Sequence, residues 1–310
     1  MTSAITKPDH RRRPERTYFL LVRLVVPPAL EEAAVAALWD SGCLGVQVVA
    51  SGRAQRLTLN AYYPGQAGAK RLGGRLGTAL RRAGVGEQAR PRLSAVRAGH
   101  WVERWQRTLR PMTIGRFLIV PEGCRSVAAG RGRTLIRVRF GQAFGTGEHA
   151  STRLCLRLLE THLRPGATVA DLGTGSGILA MAACRLGARR VIAVDDDEVA
   201  LGVARANLRD NNLQGRVRLV RADAASARDW GPFDLVLVNI GATTIERIVP
   251  DLVSSLRPGG LVILSGILMN DEKELLRVAV SLGLRPIDRR RSLPWSALVL
   301  QRARRRRRTS

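Results

Sequence analysis

Between positions 169 and 177 the chain reads Val-Ala-Asp-Leu-Gly-Thr-Gly-Ser-Gly, an apolar strand running into a glycine-rich turn. Gly173, Gly175 and Gly177 allow a tight turn and let a ligand approach the backbone closely. Such a turn also joins ordinary strands to helices, so its meaning depends on its company. Asp195 stands 22 residues after Gly173, at the end of the next apolar run. A carboxylate there accepts hydrogen bonds from the ribose hydroxyls of a nucleoside; alone, it would read as a loop carboxylate. Asn239 closes a later apolar strand, LVLVN. It is either a site residue at the carboxyl edge of the sheet or a strand-end cap. Asp223 follows the third strand, where it either meets an adenine edge or starts a helix.

The spacing of the glycines separates two nucleotide chemistries. Dinucleotide sites use GxGxxG, with the third glycine placed for helix packing beside a pyrophosphate. Here the pattern is GxGxG, with Asp171 two residues before the first glycine. That carboxylate can sit near the amino-acid end of a ligand lacking a pyrophosphate, and methyltransferases favour this version. The least generic segment is Gly141–Thr152, GQAFGTGEHAST. Its glycines and Phe144 suit a loop that folds over a ligand and excludes water. His149 is either a general base or, more simply, a residue that orders this loop.

Two sets of elements must position these groups. Strand Thr17–Val26, helix Pro28–Ser41 ended by Gly42, strands Gly45–Ala50 and Arg56–Tyr62, helix Ala69–Ala83 and strand Pro91–Ala98 give a β-α-β-β-α-β order. That order predicts a small ferredoxin-like α+β sandwich over residues 17–97. Residues 98–114 read as a linker helix carrying Trp101 and Trp105 on one face. From Thr168 onward strands and helices alternate, and the strands are near-continuous apolar runs, as expected when both sheet faces are covered. The pattern predicts an α/β, Rossmann-like doubly wound parallel sheet over residues 115–301. Arg257-Pro-Gly-Gly260 signals a turn between helix Ile245–Leu256 and strand Leu261–Leu264.

Bulk properties exclude several classes. No run of 18 apolar residues exists, so no membrane span is expected. Four cysteines are scattered without a CxxC pair or companion histidines, so no metal site or disulfide framework is expected, and a reducing cytoplasm is the expected location. The formal charge is +26, with three lysines among 51 basic residues. That bias reads either as a polyanion partner or as a compositional preference for arginine. Residues 1–16 form a basic, disordered start, and the tail 302–310, with Arg304–Arg308, is a basic run able to touch ribosomal RNA.

Taken together, Phe144-Gly-Thr-Gly147 with His149, then Asp171 through Ala188, then Asp195 and Asn239-Ile240, resemble the ribosomal-protein-L-eleven methyltransferase family. Trp101, Trp105, Pro111, Ile114 and Gly115 are similar too, and so is the layout of the small domain. Arg139-Phe140 and Glu148 stand where the family carries Asp-Pro and Thr. The resemblance implies a seven-stranded methyltransferase domain and the cofactor S-adenosylmethionine. It implies that Thr152, Gly173, Asp195 and Asn239 hold that cofactor, and that lysine side chains or the N-terminal amine of a ribosomal protein accept the methyl. RNA methylation, or RNA binding on an inactive fold, are the alternatives. Every cofactor-type motif lies after residue 140, so residues 17–97 are expected to choose the substrate and to add nothing to the cofactor site.

Overall fold

The structure is a computed structural model and describes residues 18–43, 45–50, 56–65, 68–86, 89–97, 110–122, 124, 130, 132–139, 147 and 149–304. The N-terminal part pairs β1 (Tyr18–Val26), β2 (Gly45–Ala50), β3 (Leu57–Pro64) and β4 (Arg92–Arg97) in the order β2-β3-β1-β4, all antiparallel. With α1 (Glu31–Asp40) and α2 (Ala69–Arg82) this is the ferredoxin-like arrangement that the element order predicts. The reason is period. Val22, Leu24 and Val26 alternate inward along β1, and α2 buries Leu72, Leu76, Ala79 and Leu80 at helical spacing against them. Tyr63 lies wholly inside, and its hydroxyl meets Ser41 Oγ at 2.7 Å. Helix Pro28–Ser41 is shorter than predicted, because Pro28–Leu30 forms a 3-10 turn before α1 begins.

A second, three-stranded sheet follows: β5 (Met112–Ile114), β6 (Phe117–Pro121) and β7 (Thr134–Val138), with β5–β6 antiparallel and β6–β7 parallel. The predicted linker helix does not extend to residue 114, since Met112–Ile114 pairs with β6 as a strand; its tryptophans lie outside the described residues.

The large sheet has seven strands. They are β8 (Thr168–Leu172), β9 (Arg190–Asp195), β10 (Val217–Arg221), β11 (Phe233–Asn239), β12 (Leu256–Leu268), β13 (Leu284–Ser292) and β14 (Trp295–Arg302), in the order β10-β9-β8-β11-β12-β14-β13. The first five run parallel, and β14 is antiparallel to both its neighbours. Helices α3 (Ala150–His162), α4 (Ile178–Arg185), α5 (Glu198–Asp210), α6 (Ala242–Ser255) and α7 (Glu272–Ser281) accompany it. Two apolar clusters lie on its faces, so a central strand such as β8 is buried at all five positions. Strand order reverses between β8 and β11, which opens a crevice at their carboxyl ends.

Three boundaries depart from the sequence pattern. Arg257–Gly260 is not a turn before a strand but an insertion within β12, between the pairs Phe233↔Leu256 and Leu235↔Leu261. Gly259 at φ +81° and the tight packing of Gly260 on the Phe233 and Arg257 carbonyls allow the chain to kink and continue. Helix α6 starts at Ala242, three residues before the apolar run, because Gly241 takes the N-cap position. Arg302, read as the start of the tail, closes β14 and donates to the Leu256 carbonyl. Among the described residues no helix is long and apolar enough to cross a membrane.

Candidate active site

The crevice holds a cavity of about 440 Å³, within the range of sites for small organic ligands. Its floor is the turn after β8. Gly173, Gly175 and Gly177 all have positive φ, at +69°, +54° and +80°. A Cβ on Gly173 would stand 2.5 Å from Ile240 Cγ2, so a side chain is barred there by strain and by contact. The Gly173 and Thr174 amides both donate to the Val194 carbonyl at 2.9 Å, which ties the turn to the end of β9.

Asp195 ends β9 and lines the cavity, half-buried. One of its oxygens accepts from the Gly175 amide at 2.8 Å, the other from the Asp197 amide at 3.1 Å. These bonds fix the carboxylate and leave lone pairs for a ligand's hydroxyls. Burial raises its pKa above the ordinary carboxylate value, opposed by those two amides and reinforced by Asp196 and Asp197.

The opposite wall begins at Asn239, the last residue of β11. Its Nδ2 donates to Thr152 Oγ1 at 3.2 Å, while its buried Oδ1 has no hydrogen-bond partner among the described residues. Leaving a buried acceptor unmet costs about 1–3 kcal/mol, so this atom points to a ligand donor. Thr152 is fully buried in the first turn of α3. His149 caps that helix: its Nδ1 accepts from the Ser151 amide at 3.3 Å and lies 2.6 Å from Ser151 Oγ. Ser265 of β12 donates to the Ser151 carbonyl at 3.1 Å. Cap and anchor together hold Thr152 against Asn239. Burial pushes the His149 imidazole down to about 4, so it is neutral at physiological pH.

Sequence reasoning missed the aromatic wall. Trp39, at the end of α1, and Trp295, at the start of β14, both line the cavity. Each meets the His149 ring edge-on, at centroid distances of 5.1 and 4.6 Å. Asp40, Gly42 and Cys43 reach the cavity as well. Residues 17–97, expected to choose the substrate and to add nothing to the cofactor site, thus reach the same cavity as the cofactor motifs. A Trp-Asp pair ending a helix gives no local signal of this, because the contact joins residues more than a hundred positions apart. Ser296, next to Trp295 in the chain, binds a buried carboxylate. Glu272 takes bonds from Ser296 Oγ at 2.6 Å, Arg289 at 3.0 Å and Arg291 at 2.9 and 3.0 Å. Burial alone would raise the Glu272 pKa, but Arg291, Ser296 and Arg289 outweigh it and hold it at about 2.

Other expected site residues fall elsewhere. Asp171 lies beneath the glycine turn, outside the cavity lining, where one oxygen accepts from Thr174 Oγ1 at 2.6 Å and from the Ala180 amide at 3.0 Å. Its other oxygen is buried without a hydrogen-bond partner among the described residues, and burial pushes its pKa up to about 7. Asp223 is not in the lining; it caps the 3-10 turn Ala224–Asp229 through the Ala225 amide and pairs with Arg247 at 3.1 Å. That placement is the helix-start alternative. Phe144 lies outside the described residues. The approach to its loop is clamped by two buried asparagines of α5 and its C-cap. Asn207 accepts from the Arg139 amide at 2.7 Å, and Asn211 both accepts from and donates to the Arg137 backbone.

The cavity fits S-adenosylmethionine on these observations: a glycine floor, a fixed ribose-type carboxylate, an orphaned buried acceptor and sufficient volume. Among the described residues no cluster of metal-binding side chains occurs. The family model for ribosomal protein L11 methyltransferase (PrmA) matches residues 19–303. A ribosomal protein L11 methyltransferase of Pelotomaculum thermopropionicum is 41% identical over 199 residues, 64% of each chain, so the match spans just under two thirds of that relative. One of Carboxydothermus hydrogenoformans is 32% identical over 264 residues, 85% of each chain. The crystal structure of a ribosomal protein L11 methylase from Lactobacillus delbrueckii subsp. bulgaricus superposes with a TM-score of 0.59 at 31% identity, covering 63% of this chain and all of that one.

Proposed function

We propose, for a chain that belongs to the ribosomal protein L11 methyltransferase family, that it moves methyl groups from S-adenosylmethionine to amines of ribosomal protein L11: lysine side chains, the N-terminal amine, or both. The observation that carries the reading is the Asn239 side chain. Its orphaned Oδ1 lies in the wall opposite the ribose carboxylate, where an amine N–H would satisfy it.

S-adenosylmethionine, when bound, supplies a methyl already activated on sulfur, so the nitrogen–carbon bond forms as the sulfur–carbon bond breaks. What remains for the protein is binding, aim and exclusion of water. Asp195 holds the ribose, and Asn239, oriented by Thr152 behind it, holds the reacting end. The acceptor must be neutral. A free lysine has a pKa of about 10.4, so only about one in a thousand is neutral near pH 7.4. Desolvation in the crevice lowers that pKa and raises the neutral fraction. His149 is ill suited to take the proton. Burial holds its imidazole at about 4, well below the ammonium, so it is a poor acceptor for that proton. Its role is to cap α3 and set Thr152 and Asn239 in place, and the proton leaves to water.

The N-terminal sandwich, residues 17–97, serves to dock the substrate, which places the protein with ribosome assembly in the cytoplasm. The arginines Arg304–Arg308 add a contact to ribosomal RNA that weakens as salt rises. Transfer of tritiated methyl to separated ribosomal proteins and ribosomal RNA tests the reading: label in L11 supports it, and label confined to RNA refutes it.

A further inference from the structure

We infer that Trp39 and Asp40, supplied by the N-terminal domain, form with Trp295 the subsite that receives the acceptor lysine: the two indoles line the path of its alkyl chain and the Asp40 carboxylate draws in its ammonium. The inference rests on the function proposed above and deepens it.

Four observations carry it. Trp39, Asp40 and Trp295 line the same cavity as Asp195 and Asn239. Both indoles meet the His149 ring edge-on, at 5.1 and 4.6 Å between centroids. They thus form one aromatic wall from two distant parts of the chain, and aromatic faces attract cations and pack on methylenes. The imidazole they share is neutral and adds no charge to repel an ammonium. Finally, Asp40 reaches the turn after Asn239. Its Oδ1 lies 3.7 Å from the point a Cβ on Gly241 would occupy. The carboxylate and the Asn239 amide therefore border one opening, with an exposed acid at its rim and a buried acceptor within.

The charged neighbours of Asp40 are Arg82 from α2 and Asp271 from the start of α7, which act on it in opposite directions. Among the described residues no cation lines the cavity to neutralise it. An entering ammonium first meets a carboxylate in partly solvated surroundings, then loses water against the indoles. This order captures the charged form outside and favours the neutral form at the methyl. It also links docking to chemistry, because the subsite is complete only with α1 seated against the β11–α6 turn.

The test compares full-length Trp39→Ala, Trp39→Phe and Asp40→Asn with the wild type on intact L11, with S-adenosylmethionine affinity measured in parallel by calorimetry. Trp39→Ala is expected to lower kcat/KM about tenfold, mainly through KM, and to weaken competition by a trimethyllysine peptide to a similar extent. Trp39→Phe should restore most of both. Asp40→Asn should lower kcat/KM several-fold and flatten its dependence on salt. S-adenosylmethionine affinity should stay within about twofold throughout. A Trp39→Ala enzyme as active as wild type on L11 overturns the inference, and so does a faster one, which would make α1 a plug. Equal loss in the Ala and Phe variants overturns it as well, since a domain-docking role would give that. Failure of the wild type itself to methylate L11 would instead sink the proposed function.

Discussion

Replacing Asp195 by alanine should weaken S-adenosylmethionine binding by about tenfold to a hundredfold. The perturbation removes a charge-assisted bond to the ribose hydroxyls, worth roughly 1.5–3 kcal/mol, and each 1.4 kcal/mol is a factor of ten. It also frees the Gly175 and Asp197 amides, which now donate to the carboxylate at 2.8 and 3.1 Å. The Gly175 bond fixes the middle of the glycine turn, so the Ala variant should lose some thermal stability besides. Asp195→Asn separates the two effects. It keeps the volume and one oxygen, yet sets an NH2 against one of the two backbone donors, so binding should fall by less than in the Ala variant. Because burial raises the carboxyl pKa, wild-type affinity should also decline as pH drops into the acid range, while the Ala variant loses that dependence. Isothermal calorimetry reads the affinities, and a thermal melt confirms the fold. Ala and wild-type affinities within twofold of each other, with the fold intact, would refute the assignment of Asp195 to the ribose.

Gly173→Ala should abolish cofactor binding and destabilise the turn by more than about 1 kcal/mol, since its φ is +69° and the new Cβ would stand 2.5 Å from Ile240 Cγ2; retained affinity by calorimetry would contradict this. Asn239→Ala should cut kcat at least tenfold, because it empties the acceptor in the cavity wall; single-turnover rates equal to wild type would remove Asn239 from the chemistry. Glu272 is held at about 2 against an ordinary 4.5. Its stabilisation is present above about pH 4.5 and is lost as pH falls toward 2. Denaturant unfolding of Glu272→Gln at pH 7 and pH 4 should show a lower stability and a shallower acid decline, and an unchanged profile would discount the network around Glu272. The His149 imidazole, lowered to about 4, binds protons in the unfolded chain before it does in the native one, so its contribution is full above about pH 6.5 and fades toward 4. Its NMR titration midpoint should fall below 5; a midpoint near 6.5 would place it in water.

The parallel sheet was legible because its strands are buried on both faces and read as unbroken apolar runs between periodic helices. The glycine turn, Asp195 and Asn239 were legible because short-range spacing alone puts them at strand ends. The N-terminal sandwich followed from its β-α-β-β-α-β element order. Tertiary facts were not legible. Trp39 and Trp295 each meet His149 only once distant segments pack, and Glu272 gathers its arginines across the β13–β14 hairpin. The Arg257–Gly260 insertion carries the same residues as a true turn, and only its strand partners reveal a kinked strand. Asp223 sits where an adenine contact would be, but Arg247, 24 positions away, pairs with it.

The central claim, that this crevice delivers a methyl to an amine of ribosomal protein L11, is tested most directly by intact and fragment mass spectrometry of unmodified L11 after incubation with the protein and S-adenosylmethionine. The account predicts mass increments of whole methyl groups, located on lysine side chains or the N-terminal amine, and none with the Asn239→Ala variant at matched times. An L11 that gains no methyl, while ribosomal RNA does, would contradict it.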